Sequence, residues 1–186
     1  NPNGILQWSN RYPVLSGASG RDITADKDGF CYTLGWGHFG ASQFDDFIII
    51  KHALNGSILW DKGYSSNDSS SETPKKIATD TIGNVIVTGI GHISYFEQYT
   101  TVKYNSSGDL LWKKDLPGVP EDLKLDKENN IYVSGMTYYN QNGFDVNGIG
   151  TVKYDFNGNQ VWFKRWNGPA DSSPVFGVRM TIDFNK

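Results

Sequence analysis

The chain has 186 residues, of which 14% are aromatic and 20% charged, a composition typical of a folded globular protein rather than a disordered one. The formal net charge of -3 and the pI near 5.5 provide no basic footprint, which argues against nucleic acid or insertion into a membrane. No apolar run approaches the roughly 20 residues of a spanning helix, and the single cysteine excludes an internal disulfide.

The predicted elements, taken in chain order, are strands, and the same group of strands recurs along the chain. A strand ending near Trp8 comes first, followed by a turn and strand in DKDGFCYTLG from Asp26 to Gly35, and then by the apolar run FIIIK. In the second copy the set is complete, with the four segments KKIATD, NVIVTG, YTTVKY and DLLWKK, all rich in β-branched or aromatic residues. No window favours a helix.

The repeat is defined by a tryptophan register. Four tryptophans lie 52, 52 and 50 residues apart, and each follows a glycine by four residues: Trp8, Trp60, Trp112 and Trp162. A lysine precedes the last three of them by nine residues, and the Asp26 block returns from Asp80 to Gly89 and from Asp126 to Gly135. The sequence therefore predicts one segment, residues 1–186, built from repeats of about 52 residues.

The connections between predicted strands are of two kinds. The turn within each aspartate block and the turn at Gly56, Gly108 and Gly158 keep a constant length, whereas the other two connections vary. Successive turns of an up-and-down meander lie at opposite ends of the sheet, so the variable connections should share one end. We call this the long-connection end and the opposite one the tight-turn end.

Four antiparallel strands recurring at this spacing predict an all-β fold, a β-propeller of four-stranded blades, with a solenoid of stacked sheets as the alternative. Three full blades and two partial ones are expected, as part of a larger ring. The opening NPNGILQW would be an outer strand and the closing GVRMTIDFNK an inner strand, each from a divided hairpin. The sequence thus predicts a piece of a longer chain, or a protomer completed by other copies, that aggregates or is marginally stable alone.

The pattern D-x-x-G-N-x-x-V-x-G, followed by V-K-Y-x-x-x-G-x-x-x-W and by WNGPADS from Trp166 to Ser172, resembles the SBBP-type β-propeller repeats of bacterial and archaeal surface proteins. The resemblance covers nearly the whole chain. It implies an extracellular or cell-surface location and a scaffolding or binding role rather than one activity. The first repeat departs from the pattern at Phe30, Cys31 and His52.

Candidate binding residues lie at the long-connection end. His38 and His92 occupy equivalent positions that Tyr138 takes in the third repeat, and two histidines without a neighbouring carboxylate are too few for a metal site. No metal or cofactor is expected. Charged residues at the starts of the inner strands would ring the mouth of a central channel, and the predicted ligand or partner-binding set is Trp36, His38, His92, Tyr95, Tyr138, Arg21, Lys75 and Glu121. The alternative is that these charges pair between repeats and the aromatic side chains pack under their own loops.

Two functions remain open. The first is a non-catalytic scaffold or binding module for protein or glycan contact at the aromatic long-connection end. The second is a lyase or hydrolase acting on polysaccharide, with acid and base groups supplied by the charged ring. The sequence shows no catalytic triad and no phosphate loop, which favours the binding module.

Overall fold

The computed structural model describes residues 3–13, 17–66, 70–93, 96–141, 144–167 and 178–183. These residues form eleven antiparallel strands in two sheets, so the chain is all-β as predicted. No described segment is helical, and none therefore provides a long apolar helix that would cross a membrane.

The two sheets contain four and seven strands, each in chain order. The first sheet holds β1 (Ser19–Ala25), β2 (Cys31–Gly37), β3 (Asp46–His52) and β4 (Ile58–Tyr64). The second sheet holds β5 (Thr73–Thr79), β6 (Val85–Ile93), β7 (Phe96–Tyr104), β8 (Leu110–Leu125), β9 (Ile131–Gln141), β10 (Phe144–Tyr154) and β11 (Gln160–Trp166).

Strand β8 belongs to two consecutive four-stranded groups. Its first half, up to Pro117, pairs with β7, and its second half, from Gly118, pairs with β9. Gly118 has φ +131, and a β-carbon there would lie 2.1 Å from the carbonyl oxygen of Met136, so only glycine fits this change of partner. We call β1–β4 unit 1, β5 to the first half of β8 unit 2, and the second half of β8 to β11 unit 3.

The tryptophan register of the sequence is also the register of the strands. Trp60 pairs with Lys51, Trp112 with Lys103 and Trp162 with Lys153, on the last two strands of units 1, 2 and 3. In each unit the pairing register shifts one step beyond the lysine. Trp60, Trp112 and Trp162 thus occupy the same position relative to their paired lysines.

The first turn of each unit is organised by an aspartate carboxylate. In unit 2, Asp80 Oδ1 accepts hydrogen bonds from the backbone N–H groups of Ile82 (3.1 Å) and Asn84 (2.9 Å). Asp26 and Asp126 do the same in the other units. A short carboxylate that bonds its own following amides favours a turn over a continued strand, which explains why this length is constant.

In units 2 and 3 the variable connection between the second and third strands is not the loop that the sequence predicts. There the extra residues extend the hairpins, so that β6 runs to Ile93 before β7 begins at Phe96, and β9 runs to Gln141. Ladder pairing satisfies the backbone groups that a loop would leave to solvent, and these segments are rich in β-branched and aromatic residues. Open connections remain in unit 1 at 38–45 and, between β4 and β5, at the described residues 65–66 and 70–72.

Units 1 and 2 each pack a tryptophan ring against the glycine turn of the following unit. A β-carbon at Gly108 would lie 3.2 Å from the Trp60 ring, and one at Gly158 would lie 2.8 Å from the Trp112 ring. The paired lysines reach the same turns, because Lys51 Nζ donates to the carbonyl oxygen of Ser106 (3.1 Å) and Lys103 Nζ to that of Phe156 (3.1 Å).

Two apolar cores lie between consecutive units. The core between units 1 and 2 includes Tyr32, Phe47 and Ile49 on one side with Val85 and Val87 on the other. The core between units 2 and 3 joins Ile86 and Tyr99 to a group from the next unit, namely Leu123, Ile131, Val133 and Val152. Strand β6 is thus buried on both faces, since its alternate side chains enter different cores.

The two end segments are not strands, in contrast to the prediction. Residues 3–13 and 178–183 carry no strand assignment, because no described neighbouring strand provides a ladder for either of them. Both nevertheless keep the repeat register: Trp8 lies over Gly56 as Trp60 lies over Gly108, and Met180 N donates to Asp122 Oδ2 (2.7 Å) as Ile77 N donates to Asp22 Oδ2 (3.2 Å).

Candidate functional site

The aromatic and histidine residues predicted to bind a partner are distributed along the long-connection end. Trp36 lies on β2 opposite Phe47 and is half-buried. His38 follows β2 in the open connection, with its Nε2 3.9 Å from Asp45 Oδ1. Tyr95 lies outside the described residues.

His92 and Tyr138 lie on the extended hairpins rather than on loops. The backbone N–H of His92 donates to Ser66 Oγ (3.1 Å), which also contacts the His92 carbonyl oxygen (3.0 Å). The Tyr138 hydroxyl donates to Glu97 Oε2 (2.6 Å), and burial together with this carboxylate raises the pKa of Tyr138. Tyr138 therefore joins unit 3 to unit 2.

The charged strand starts pair between units. Lys75 Nζ lies 2.8 Å from Glu121 Oε1, and Lys76 Nζ lies 3.4 Å from Asp22 Oδ2. Arg21, on β1, is exposed. The structure thus brings Lys75 and Glu121 together as an ion pair but does not gather the seven described residues of the predicted set into one site.

A cavity of about 520 Å³ opens at the long-connection end of unit 1. Its wall is formed by the 38–45 connection, the start of β3 and the residue after β4, chiefly Phe39, Ser42, Gln43, Phe44, Asp46 and Ser65. Phe39 packs directly on Gly63, where a β-carbon would lie 2.2 Å from its ring. A cavity of this size fits a small molecule or a side chain of another protein.

Asp46 is the charged residue of this wall. It is only 3% exposed; its Oδ2 accepts a hydrogen bond from the Phe39 N–H (3.3 Å), and its Oδ1 has no hydrogen-bond partner among the described residues. A buried carboxylate oxygen without a partner is destabilising, so an unsatisfied acceptor of this kind requires a reason other than packing.

Glu72 is a second buried carboxylate in the same region. Its backbone N–H donates to the Asp45 carbonyl oxygen (2.7 Å), its Oε1 contacts the Ser66 hydroxyl, and its Oε2 has no partner within the described ranges. Burial raises the pKa of Glu72, and the charge of Asp46 adds to the effect, although hydrogen bonds from Ser66 oppose it.

Sequence reasoning missed both Asp46 and Glu72. Five residues before the paired lysine, units 2 and 3 carry Gln98 and Gly148 where unit 1 has Asp46. Eight residues before the turn aspartate, units 1 and 3 carry Ala18 and Gly118 where unit 2 has Glu72. A comparison of the repeats position by position would have identified both as departures, but only the fold reveals that they are buried.

A second cavity, of about 580 Å³, lies between the 3–13 segment and the outer face of unit 1. Arg11, Tyr12, Trp36 and Ile48 contribute to its wall. The Tyr12 hydroxyl donates to Asp61 Oδ2 (2.5 Å), and burial and this bond raise the pKa of Tyr12 to about 12. Trp8 stacks on His52 at 5.7 Å between ring centroids, so the His52 ring packs against the 3–13 segment.

Within the described part of the chain, no three His, Cys, Asp or Glu side chains are placed to hold a metal ion. Cys31 is half-buried, and burial raises the pKa of its thiol, which lowers its reactivity at neutral pH.

Comparison with known proteins shows similarity at the level of the fold. No family model matches the chain, and no curated protein matches it. The fold is similar to that of a protein of unknown function from Bacteroides caccae, with a TM-score of 0.48 and 14% sequence identity, over 86% of this chain and 70% of that one. At this level of similarity the neighbour assigns no function.

Proposed function

We propose that this chain is a β-propeller segment that acts as a non-catalytic extracellular or cell-surface scaffold and binds a protein or glycan at its long-connection end. The observation that carries the scaffold proposal is the recurrence of one contact, in which Trp60 covers Gly108 and Trp112 covers Gly158. Repeats that bury their neighbours in the same way form extended arrays, which can include other copies or further repeats of the chain. The resemblance of the sequence to SBBP-type repeats supports the location.

The long-connection end supports the binding proposal because several of its side chains differ from one unit to the next. The tight-turn end uses the same few contacts in each unit, whereas Asp46, Glu72 and His38 occur in single units or in two of three. Side chains that packing does not require are free to serve recognition, and connections are where binding residues concentrate.

The alternative, an enzyme acting on polysaccharide, would use the charged strand starts as acid and base. Lys75 and Glu121 are instead 14% and 29% exposed and pair with each other at 2.8 Å. The protein can be incubated with acidic and neutral polysaccharides, and the release of new reducing ends can be measured. Release by the unaltered protein that the Glu121→Gln variant lacks would favour the enzyme.

Photo-crosslinking with a glycan array tests which end binds. A photoreactive residue at His38, at the long-connection end, is expected to crosslink a bound protein or glycan. The same residue at Leu54, which is 66% exposed at the tight-turn end, is the matched control and should give little product. Crosslinking from Leu54 alone would contradict the proposal.

A further inference from the structure

The connection that lines the cavity beside Asp46 is held together by its own hydrogen bonds. The Ser42 hydroxyl donates to the Phe44 carbonyl oxygen (2.9 Å), and the Ser42 N–H donates to the Phe39 carbonyl oxygen (3.1 Å). These bonds fold the 38–45 connection on itself and hold Phe39 and Phe44 in the wall. A wall formed before a ligand arrives lowers the entropic cost of binding.

The charge of Asp46 is not compensated within this wall. The described lining residues include no lysine or arginine, and Asp46 Oδ1 has no hydrogen-bond partner among the described residues. Packing of the strand does not require a carboxylate here, because the equivalent positions are Gln98 and Gly148.

Glu72 is a second buried carboxyl group, close enough to Asp46 for the charge of Asp46 to act on it. It is 1% exposed, and its Oε2 is a second acceptor without a partner among the described residues. Two buried carboxylates from neighbouring units, Asp46 on β3 and Glu72 before β5, give the region a negative potential that an incoming cation would relieve.

We propose that this cavity binds an alkylammonium group, with Asp46 as its counter-ion and with Phe39 and Phe44 as aromatic walls. A cation held by aromatic rings and a desolvated carboxylate combines two attractions that both require positive charge. The inference deepens the proposed function and rests on it only for the choice of binding end.

Other ligands fit this chemistry less well. Calcium takes six to eight oxygen ligands, whereas Asp46 is the one carboxylate among the described lining residues. A neutral sugar would donate hydrogen bonds to Asp46 but would leave its buried charge uncompensated.

Titration monitored by NMR, through the backbone amides of Phe44 and Ser65, tests the proposal. The probes are cadaverine, a blocked Gly-Lys-Gly peptide, and the same peptide with an acetylated lysine. We expect saturable shifts with cadaverine or the lysine peptide and none with the acetylated peptide. If cadaverine alone binds, the ligand is a free amine, and if the peptide binds better, it is a lysine side chain of a protein.

Three variants provide the controls. Asp46→Asn, which keeps the shape of the side chain, should weaken binding by about tenfold or more, equivalent to about 1.4 kcal/mol. Phe44→Leu, which keeps an apolar wall without a ring, should weaken it by roughly threefold, as expected for a partly exposed cation–π contact. Asp45→Asn removes the adjacent carboxylate, which is not among the described wall residues, and should change affinity less than about twofold.

Several results would overturn the inference. Binding of calcium or N-acetylglucosamine without binding of the amines would do so, as would equal amine affinity in the Asp46→Asn variant, or saturation by no probe. A folded amide spectrum of each variant shows that lost binding is not lost structure. Crosslinking from His38 tests the binding end separately, so either proposal can fail alone.

Discussion

At the scale of the residue, the lysine that pairs with each tryptophan lies in a different environment in each unit. Lys103 is fully buried, with its Nζ 3.0 Å from Asp80 Oδ2 and 3.6 Å from the centre of the Phe156 ring. Lys153 lies 3.5 Å from Asp126 Oδ2 and is 20% exposed. Lys51 contacts the Phe30 and Tyr32 rings. The same residue type therefore contributes differently according to its burial.

Replacing Lys103 by methionine is expected to lower the free energy of unfolding by roughly 3 kcal/mol or more, because it leaves the Asp80 carboxylate buried without its cation. Lys153→Met is the matched control and should cost about 1 kcal/mol or less, since water still reaches Asp126. Urea denaturation of the two variants measures the difference. Equal losses would show that burial of the pair does not matter.

At the scale of the element, the second hairpin turn of units 2 and 3 is a packing device. Gly158 has φ +82, a conformation that favours glycine, and it also lies beneath the Trp112 ring. Gly83, in the first turn of unit 2, has nearly the same conformation, φ +81, but its nearest contacts to an added β-carbon are at 3.7 Å. A comparison of these two glycines therefore distinguishes the effect of backbone strain from the effect of the contact with the neighbouring unit.

Gly158→Ala is expected to destabilise the protein by at least about 1 kcal/mol more than Gly83→Ala, because only the former forces a methyl group into a ring of the neighbouring unit. Both variants carry the strain of a left-handed alanine, so that contribution largely cancels in the comparison. Thermal and urea unfolding measure both losses. A Gly83→Ala loss as large as that of Gly158→Ala would show that the tryptophan contact adds nothing.

At the scale of the whole molecule, stability should be highest where the two cores meet. Strand β6 contributes Val85 and Val87 to one core and Ile86 to the other. The edge strands β1 and β11 bury less apolar surface, since Ile23 on β1 is 63% exposed and Val161 on β11 is 54% exposed. Unit 2 contributes side chains to both cores, whereas units 1 and 3 each contribute to one, so the central unit is expected to be the most stable.

Hydrogen exchange is therefore expected to be slowest at the amides of Val87 and Val102 and faster, by at least about tenfold, along β11. Mass spectrometry or NMR of exchanging samples measures the gradient. Uniform protection across all strands would indicate a single cooperative unit instead.

The long-connection end illustrates where sequence reasoning reached its limit. The histidine and aromatic positions were identified from repeat spacing, but spacing does not tell whether a residue lies in a loop or on an extended hairpin, as His92 and Tyr138 do. Lys75 and Glu121 were recognised as strand-start charges, and the alternative that such charges pair between units is the arrangement observed. The binding roles of all eight residues remain predictions.

The sequence by itself determined the all-β class, because strand formation depends on local preferences for β-branched and aromatic residues. Only the tertiary structure decided that β8 serves two units, that tryptophan rings cover the next turn, and that Asp46 and Glu72 are both buried at the long-connection end. Each of these depends on which unit packs against which, and that arrangement results from contacts between residues about 50 positions apart. Local sequence patterns carry no record of such distant contacts.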